Sequence, residues 1–169
     1  MYVLGTACLA ISFLDGYPRL VLLSVLSVCS LGSFGLYGFL RSLPITLTIH
    51  SLGNIQSMGV VIFLAGKNRI ACPHSRFLIH PLHWTFTAGK VDHSRLREHL
   101  GSLDNDLDRY AQIFEERTQG AKKALKIKPH LSSQEKIISA HEALDFGIVQ
   151  RVEQAAIPQS ATVYFVPST

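Results

Sequence analysis

From Leu20 to Leu40 the chain runs for 21 residues, LVLLSVLSVCSLGSFGLYGFL, without a charge before Arg41. That is the length a membrane-spanning helix requires, so the fold turns first on whether this run crosses a bilayer or is buried in a globular core. Four serines and three glycines interrupt it. Its second half (GSFGLYGFLRSL) has the period of an amphipathic helix, and Pro44 closes that helix ahead of a strand. A buried strand-to-helix segment is the stronger reading and a membrane span the weaker. A signal sequence is weaker still, because Met1 is followed at once by apolar residues, with no basic start and no small-residue cleavage pattern.

The 169 residues fit one domain with a sizeable core. With 47% hydrophobic and 17% charged residues the chain is too apolar for disorder. The net charge of +4 is scattered among acids rather than gathered in a stripe, which argues against a nucleic-acid partner. Cys8, Cys29 and Cys72 are odd in number, far apart and without a C-x-x-C. They fit a reducing, cytoplasmic compartment, with no disulfide framework and no zinc ribbon.

Short apolar runs alternate with helical periods, which predicts an α/β fold. Ile45 to Ile49 reads as a strand, and Ser57 to Ala65 (SMGVVIFLA) as a buried helix closed by Gly66 and Lys67. Arg69 to Cys72 and Arg76 to Ile79 read as successive strands. A long helix is capped by Asp92 or Ser94 and stops at Gly120. Leu96, Leu100, Leu103, Leu107, Tyr110 and Phe114 form one stripe along it. Such a stripe packs either on its own domain or, as a narrow seam, against another subunit. Lys122 to His130 reads as a basic loop. Ser139 to Phe146 (SAHEALDF) reads as a short helix with a capping box of Ser139 and Glu142 and a stop at Gly147. Ile148 to Val152 and Ala161 to Val166 complete the strands.

Acyl transfer requires a hydroxyl within reach of a base and close to backbone N–H groups that can meet an oxyanion. Ser57 suits this: it follows a glycine turn (Gly53, Asn54, Ile55, Gln56) and begins a helix, with Met58 N–H as an oxyanion donor and Gly59 allowing close passage. The competing reading is an ordinary helix cap. His80, at the end of the strand Arg76 to Ile79, is the candidate base, with His74 and His83 as competitors. His80 and His83 form H-x-x-H, but no H-E-x-x-H or carboxylate-rich partner accompanies them, so neither a metal nor a cofactor is implied.

These residues carry a resemblance. Gly-Asn-Ile-Gln-Ser57-Met-Gly resembles the nucleophile segment of ClpP-type serine peptidases (Gly-x-x-x-Ser-Met-Gly). Cys-Pro-His-Ser-Arg-Phe-Leu-Ile-His80 resembles their histidine strand, and Ser139-Ala-His-Glu-Ala-Leu-Asp-Phe-Gly-Ile-Val their C-terminal Ser-Ala-x-Glu-Ala-x-x-Tyr-Gly-Leu-Val. The similarity runs in order from about residue 33 to residue 152. It implies a single crotonase-like domain over 1–169 of stacked βαβ units, with the helix at about 92–119 as a protruding "handle". It also implies homo-oligomeric rings, sevenfold and stacked, that hydrolyse peptides in a chamber fed by a separate ATP-driven (AAA+) unfoldase. The chain has no G-x-x-x-x-G-K-[ST] of its own.

Two positions depart from the family pattern. Its catalytic aspartate falls where this chain has Glu135, whose extra methylene changes the reach of a third triad member; the alternative for Glu135 is a solvated loop charge. Its Ser-Pro-Gly-Gly-Ser turn, a source of the second oxyanion donor, falls at about Ser27-Val28-Cys29-Ser30-Leu31, without either glycine. Residues 1–32 therefore read as a diverged or truncated part. The rivals to a serine endopeptidase are a catalytically weak or inactive ClpP-like structural subunit, a membrane-anchored ClpP-like peptidase, and, last, an acyl-CoA enzyme of the crotonase fold that would need neither Ser57 nor His80.

Overall fold

The uncharged run divides into a strand and a helix. The computed structural model describes residues 7–14, 17–24, 30–83, 89–156 and 162–166. In it β2 (Tyr17–Ser24) ends within the run, and α1 (Ser30–Ser42) takes up its second half. Among the described residues no helix is long and apolar enough to cross a membrane. An antiparallel hairpin joins β1 (Ala7–Leu14) to β2, and α1 then carries the chain over to β3 (Thr48–Ser51), parallel to β2 with Val21 opposite Thr48. This crossover is the expected strand-to-helix unit. The strand after Pro44 starts later than the apolar run at Ile45 because residues 43–45 bend, with Ile45 N–H bonded to Leu43 O.

A second crossover passes through β4 (Asn54–Gln56) and α2 (Met58–Leu64) to β5 (Asn68–Ala71), parallel to β3. All seven residues of α2 are buried, as a helix that is apolar all round requires. The chain then forms β6 (Arg76–Ile79), α3 (His93–Arg117), α4 (Lys128–Ser132), β7 (Lys136–Ser139), α5 (Ala140–Asp145), β8 (Arg151–Val152) and β9 (Thr162–Val166). The six-stranded sheet has the order β8-β5-β3-β2-β1-β9; a separate three-stranded sheet has the order β4-β6-β7. The architecture is α/β, with its core between these sheets and α1, α2 and the end of α3.

Three local expectations are corrected, and one strand, β7, was not anticipated. Residues 54–56 are not a turn but strand β4, parallel to β6, and the turn is Ser57 itself. Pro129 at the start of α4, with Ile127 and Leu131 buried, makes a helical turn of part of the lysine-rich loop. Strand β7 hides in front of the capping box, its alternation reduced to exposed Ile137 and buried Ile138. Ile148 and Val149 do not join a strand because both amides bond to Ala143 O, in the turn that ends α5 at Gly147 (φ 70). A Cβ on Gly147 would also lie 3.0 Å from that of Ala121.

The capping box of α5 is present on both sides. Glu142 N–H donates to Ser139 Oγ at 3.3 Å, and Ser139 N–H donates to the Glu142 carboxylate at 2.9 Å. That backbone bond, with the Ser139 hydroxyl second, holds the Glu142 carboxyl below its ordinary range. Its stabilisation is present above the unfolded carboxyl pKa and is lost as pH falls through the folded one. Ser139→Ala is expected to cost about 1 kcal/mol in urea unfolding at neutral pH, with a smaller difference in acid.

The leucine stripe of α3 divides along its length. Asp92 caps the helix, accepting from Arg95 N–H at 2.9 Å. Tyr110 and Phe114 are buried against the core, whereas Leu96 is 50% and Leu100 60% exposed. The C-terminal half of the stripe thus packs on its own domain, and the N-terminal half presents its leucines to solvent.

Candidate active site

Strand β4 ends at Gln56 and α2 begins at Met58, so a single residue must reverse the chain between them. That residue is Ser57, with φ 53 and ψ −128, and it is the only non-glycine residue with positive φ among the described residues. A side chain in this region costs about 1–3 kcal/mol and persists only where its surroundings enforce it. Ser57 N–H donates to Leu78 O at 2.8 Å, and Ser57 O accepts from Val60 N–H and from the Tyr110 hydroxyl. The Ser57 side chain makes no capping bond to α2, which removes the ordinary reason for a serine at a helix start.

His80 directly follows β6. Its Nδ1 lies 2.9 Å from Pro81 O, and because a carbonyl only accepts, Nδ1 donates and Nε2 is left as the proton acceptor. The ring of His83 stacks on it, with centroids 5.8 Å apart and planes at 28°. His83 is exposed, and His74 is exposed in the turn between β5 and β6.

Glu135 directly precedes β7. Since β4 and β6 run parallel and β7 runs antiparallel to β6, Ser57, His80 and Glu135 all leave the same end of the small sheet. The strand order β4-β6-β7 puts His80 between the other two. Among the described residues no hydrogen bond joins His80 to Ser57 or to Glu135, and Glu135 is exposed. Met58, the candidate oxyanion donor, is the first residue of α2, where N–H groups precede the helical ladder. Of the expected second oxyanion segment, Ser27 to Cys29 lie outside the described residues, and Ser30 opens α1, which packs against α2.

Two buried side chains, one against Ser57 and one at the opposite end of α2, were not singled out by the sequence reading. Tyr110 appeared only as one member of the α3 stripe, with nothing to distinguish its hydroxyl from the apolar atoms beside it. Arg69, 4% exposed, lies under the far end of α2 and donates to four backbone carbonyls. Its period-2 position in a short apolar strand was the available signal, since a buried arginine requires acceptors.

The family model of the Clp protease matches residues 32–156, close to the span over which the motifs resemble ClpP-type peptidases. No curated protein sequence matches the chain. The match covers well over half of the 169 residues and takes in β4, Ser57, α2, β6, His80, α3 and α5. The chain belongs to the Clp protease family, a family of peptidases.

Proposed function

We propose that this chain is a ClpP-type serine endopeptidase subunit in which Ser57 is the nucleophile and His80 the general base. The observation that carries this reading is the backbone of Ser57: a half-buried serine held at positive φ on a strand-to-helix turn, with no capping duty for its hydroxyl. Ser57 Oγ attacks the peptide carbonyl as its proton passes to His80 Nε2, and Met58 N–H meets the oxyanion. Collapse breaks the C–N bond, and His80 returns the proton to the leaving amine. Water, deprotonated by the same imidazole, then cleaves the acyl ester. Pro81 O already orients the His80 ring, so Glu135 contributes charge stabilisation of the imidazolium more than alignment.

The family relation supports a crotonase-like arrangement of the βαβ units, α3 as the handle helix, and ring assembly acting on peptide substrates in the cytoplasm, fed by an ATP-driven unfoldase. A second reading, a structural subunit with little activity, is favoured by the absence of a hydrogen bond from His80 to Ser57 or Glu135 among the described residues.

Labelling of the assembled protein with a fluorophosphonate separates the two. The expected result is labelling of the wild type that is lost in Ser57→Ala and falls by at least about 100-fold in rate in His80→Ala, on a particle of ring-sized mass. A ring that assembles but does not label would establish the structural subunit instead.

A further inference from the structure

The carbonyl oxygen of Ser57 is held from two sides. Val60 N–H donates to it at 3.1 Å from within α2, and the Tyr110 hydroxyl donates to it at 3.2 Å from α3, 53 positions along the chain. Tyr110 is fully buried, and burial pushes its phenol pKa up, so the group is a neutral O–H donor. An apolar ring would fill the same space; packing alone does not require the oxygen.

The Ser57 carbonyl and the Met58 N–H are opposite ends of one planar trans peptide, and they point in opposite directions. The plane is turned by ψ of Ser57, −128, in a residue whose φ already lies outside the regions that L side chains prefer. Such a peptide lowers its energy by rotating, unless something holds it. Val60 N–H restrains the oxygen from inside the helix, and Tyr110 restrains it from a separate element anchored in the core.

We infer that Tyr110 is a positioning residue: by holding the Ser57 carbonyl it fixes the Ser57–Met58 peptide plane and so aims the Met58 N–H at the point where the oxyanion forms. It touches neither substrate nor the reacting atoms. This inference rests on the reading of Ser57 as nucleophile and Met58 as oxyanion donor.

The test is Tyr110→Phe in the full-length assembled protein, which removes one oxygen and leaves Ser57 O its bond from Val60. Steady-state peptide hydrolysis is measured together with affinity for a peptide boronate, whose tetrahedral serine adduct places an oxygen in the oxyanion position. Ser57→Ala is carried beside it. The expected result is a fall in kcat of about tenfold, a similar loss of boronate affinity and an unchanged KM, because the interaction matters only once the oxyanion exists. Tyr110→Met, apolar and without the hydroxyl, is expected to show the same split.

Unchanged kcat and boronate affinity in Tyr110→Phe, with turnover abolished in Ser57→Ala, would overturn the inference and leave the nucleophile assignment standing. A deficit confined to Tyr110→Met would also overturn it, since ring packing rather than the hydroxyl would then be responsible. Turnover retained in Ser57→Ala would remove the nucleophile assignment, and the inference with it.

Discussion

Ser57→Gly is expected to abolish fluorophosphonate labelling and peptide hydrolysis while making the folded chain more stable by about 1 kcal/mol. The two effects have one origin, the backbone of Ser57 at φ 53 and ψ −128. Glycine occupies that region without the contact between Cβ and the backbone. Relief of about 1–3 kcal/mol is partly offset by the greater freedom of glycine in the unfolded chain. Ser57→Ala is the necessary comparison. It also loses the hydroxyl and all labelling, but it keeps the Cβ and gains nothing in stability from the backbone. Urea unfolding of the two variants at one protein concentration checks this. A Ser57→Gly midpoint at or below that of Ser57→Ala would show that the corner stores no strain. The expected ordering makes the site one at which stability has been given up for the presentation of a hydroxyl.

The second large effect is expected at Arg69. Its Nε donates to Ile148 O at 2.8 Å and its terminal nitrogens to Gly66 O, Arg117 O and Gly147 O at 3.1, 2.9 and 3.1 Å. Arg117 O is the last carbonyl of α3, and the other three lie two to three residues past the ends of α2 and α5, where the helix dipoles favour a cation. Arg117 adds bonds to Leu64 O and Gly66 O. Burial, and then the charge of Arg117, lowers the Arg69 pKa to about 10, so holding the guanidinium here is itself costly and the carbonyls must offset that cost. Arg69→Leu would leave the Ile148, Arg117 and Gly147 oxygens without this donor. At about 1 kcal/mol or more for each buried orphan, a loss of about 3 kcal/mol is expected in chemical denaturation. Arg69→Lys should recover only part of it, since an ammonium cannot reach four acceptors in a planar fork. A loss below about 1 kcal/mol in Arg69→Leu would mean that water replaces the guanidinium.

What the sequence made legible was what lies in side-chain pattern and local capping. The uncharged run held a strand end in its first part and a helix in its second, the Asp92 cap began α3, and the Ser139–Glu142 box began α5. Strands β5 and β6 lay within a residue of their apolar runs because each is flanked by polar turns. What stayed hidden was decided by partners distant in sequence. Strand β4 has a single apolar residue, Ile55, and is a strand only because β6 pairs with it. Residues 148 and 149 look like a strand but give their amides to the end of α5. At the site, residue types and spacing indicated Ser57 and His80. The conformation of Ser57 and the contact from Tyr110 belong to the tertiary structure alone, and the bond from His80 to the adjacent Pro81 carbonyl, though local, leaves no mark in residue type. Glu135 could be matched by position, but its place ahead of β7, beside His80 in the strand order, follows only from the antiparallel register.

The arginine that closes three helix ends bears on how such a chain diverges. No other residue type offers five donors in a fixed fork, and a change elsewhere in the molecule could repair one carbonyl at most. Position 69 is therefore under constraint from architecture alone, whatever becomes of the chemistry at residue 57. A lineage could lose its hydroxyl and keep its shape, gaining stability in the process, but it could not readily lose this guanidinium. Descent with loss of catalysis is thus an accessible route for this scaffold, and an arginine retained in the second parallel crossover would be its mark.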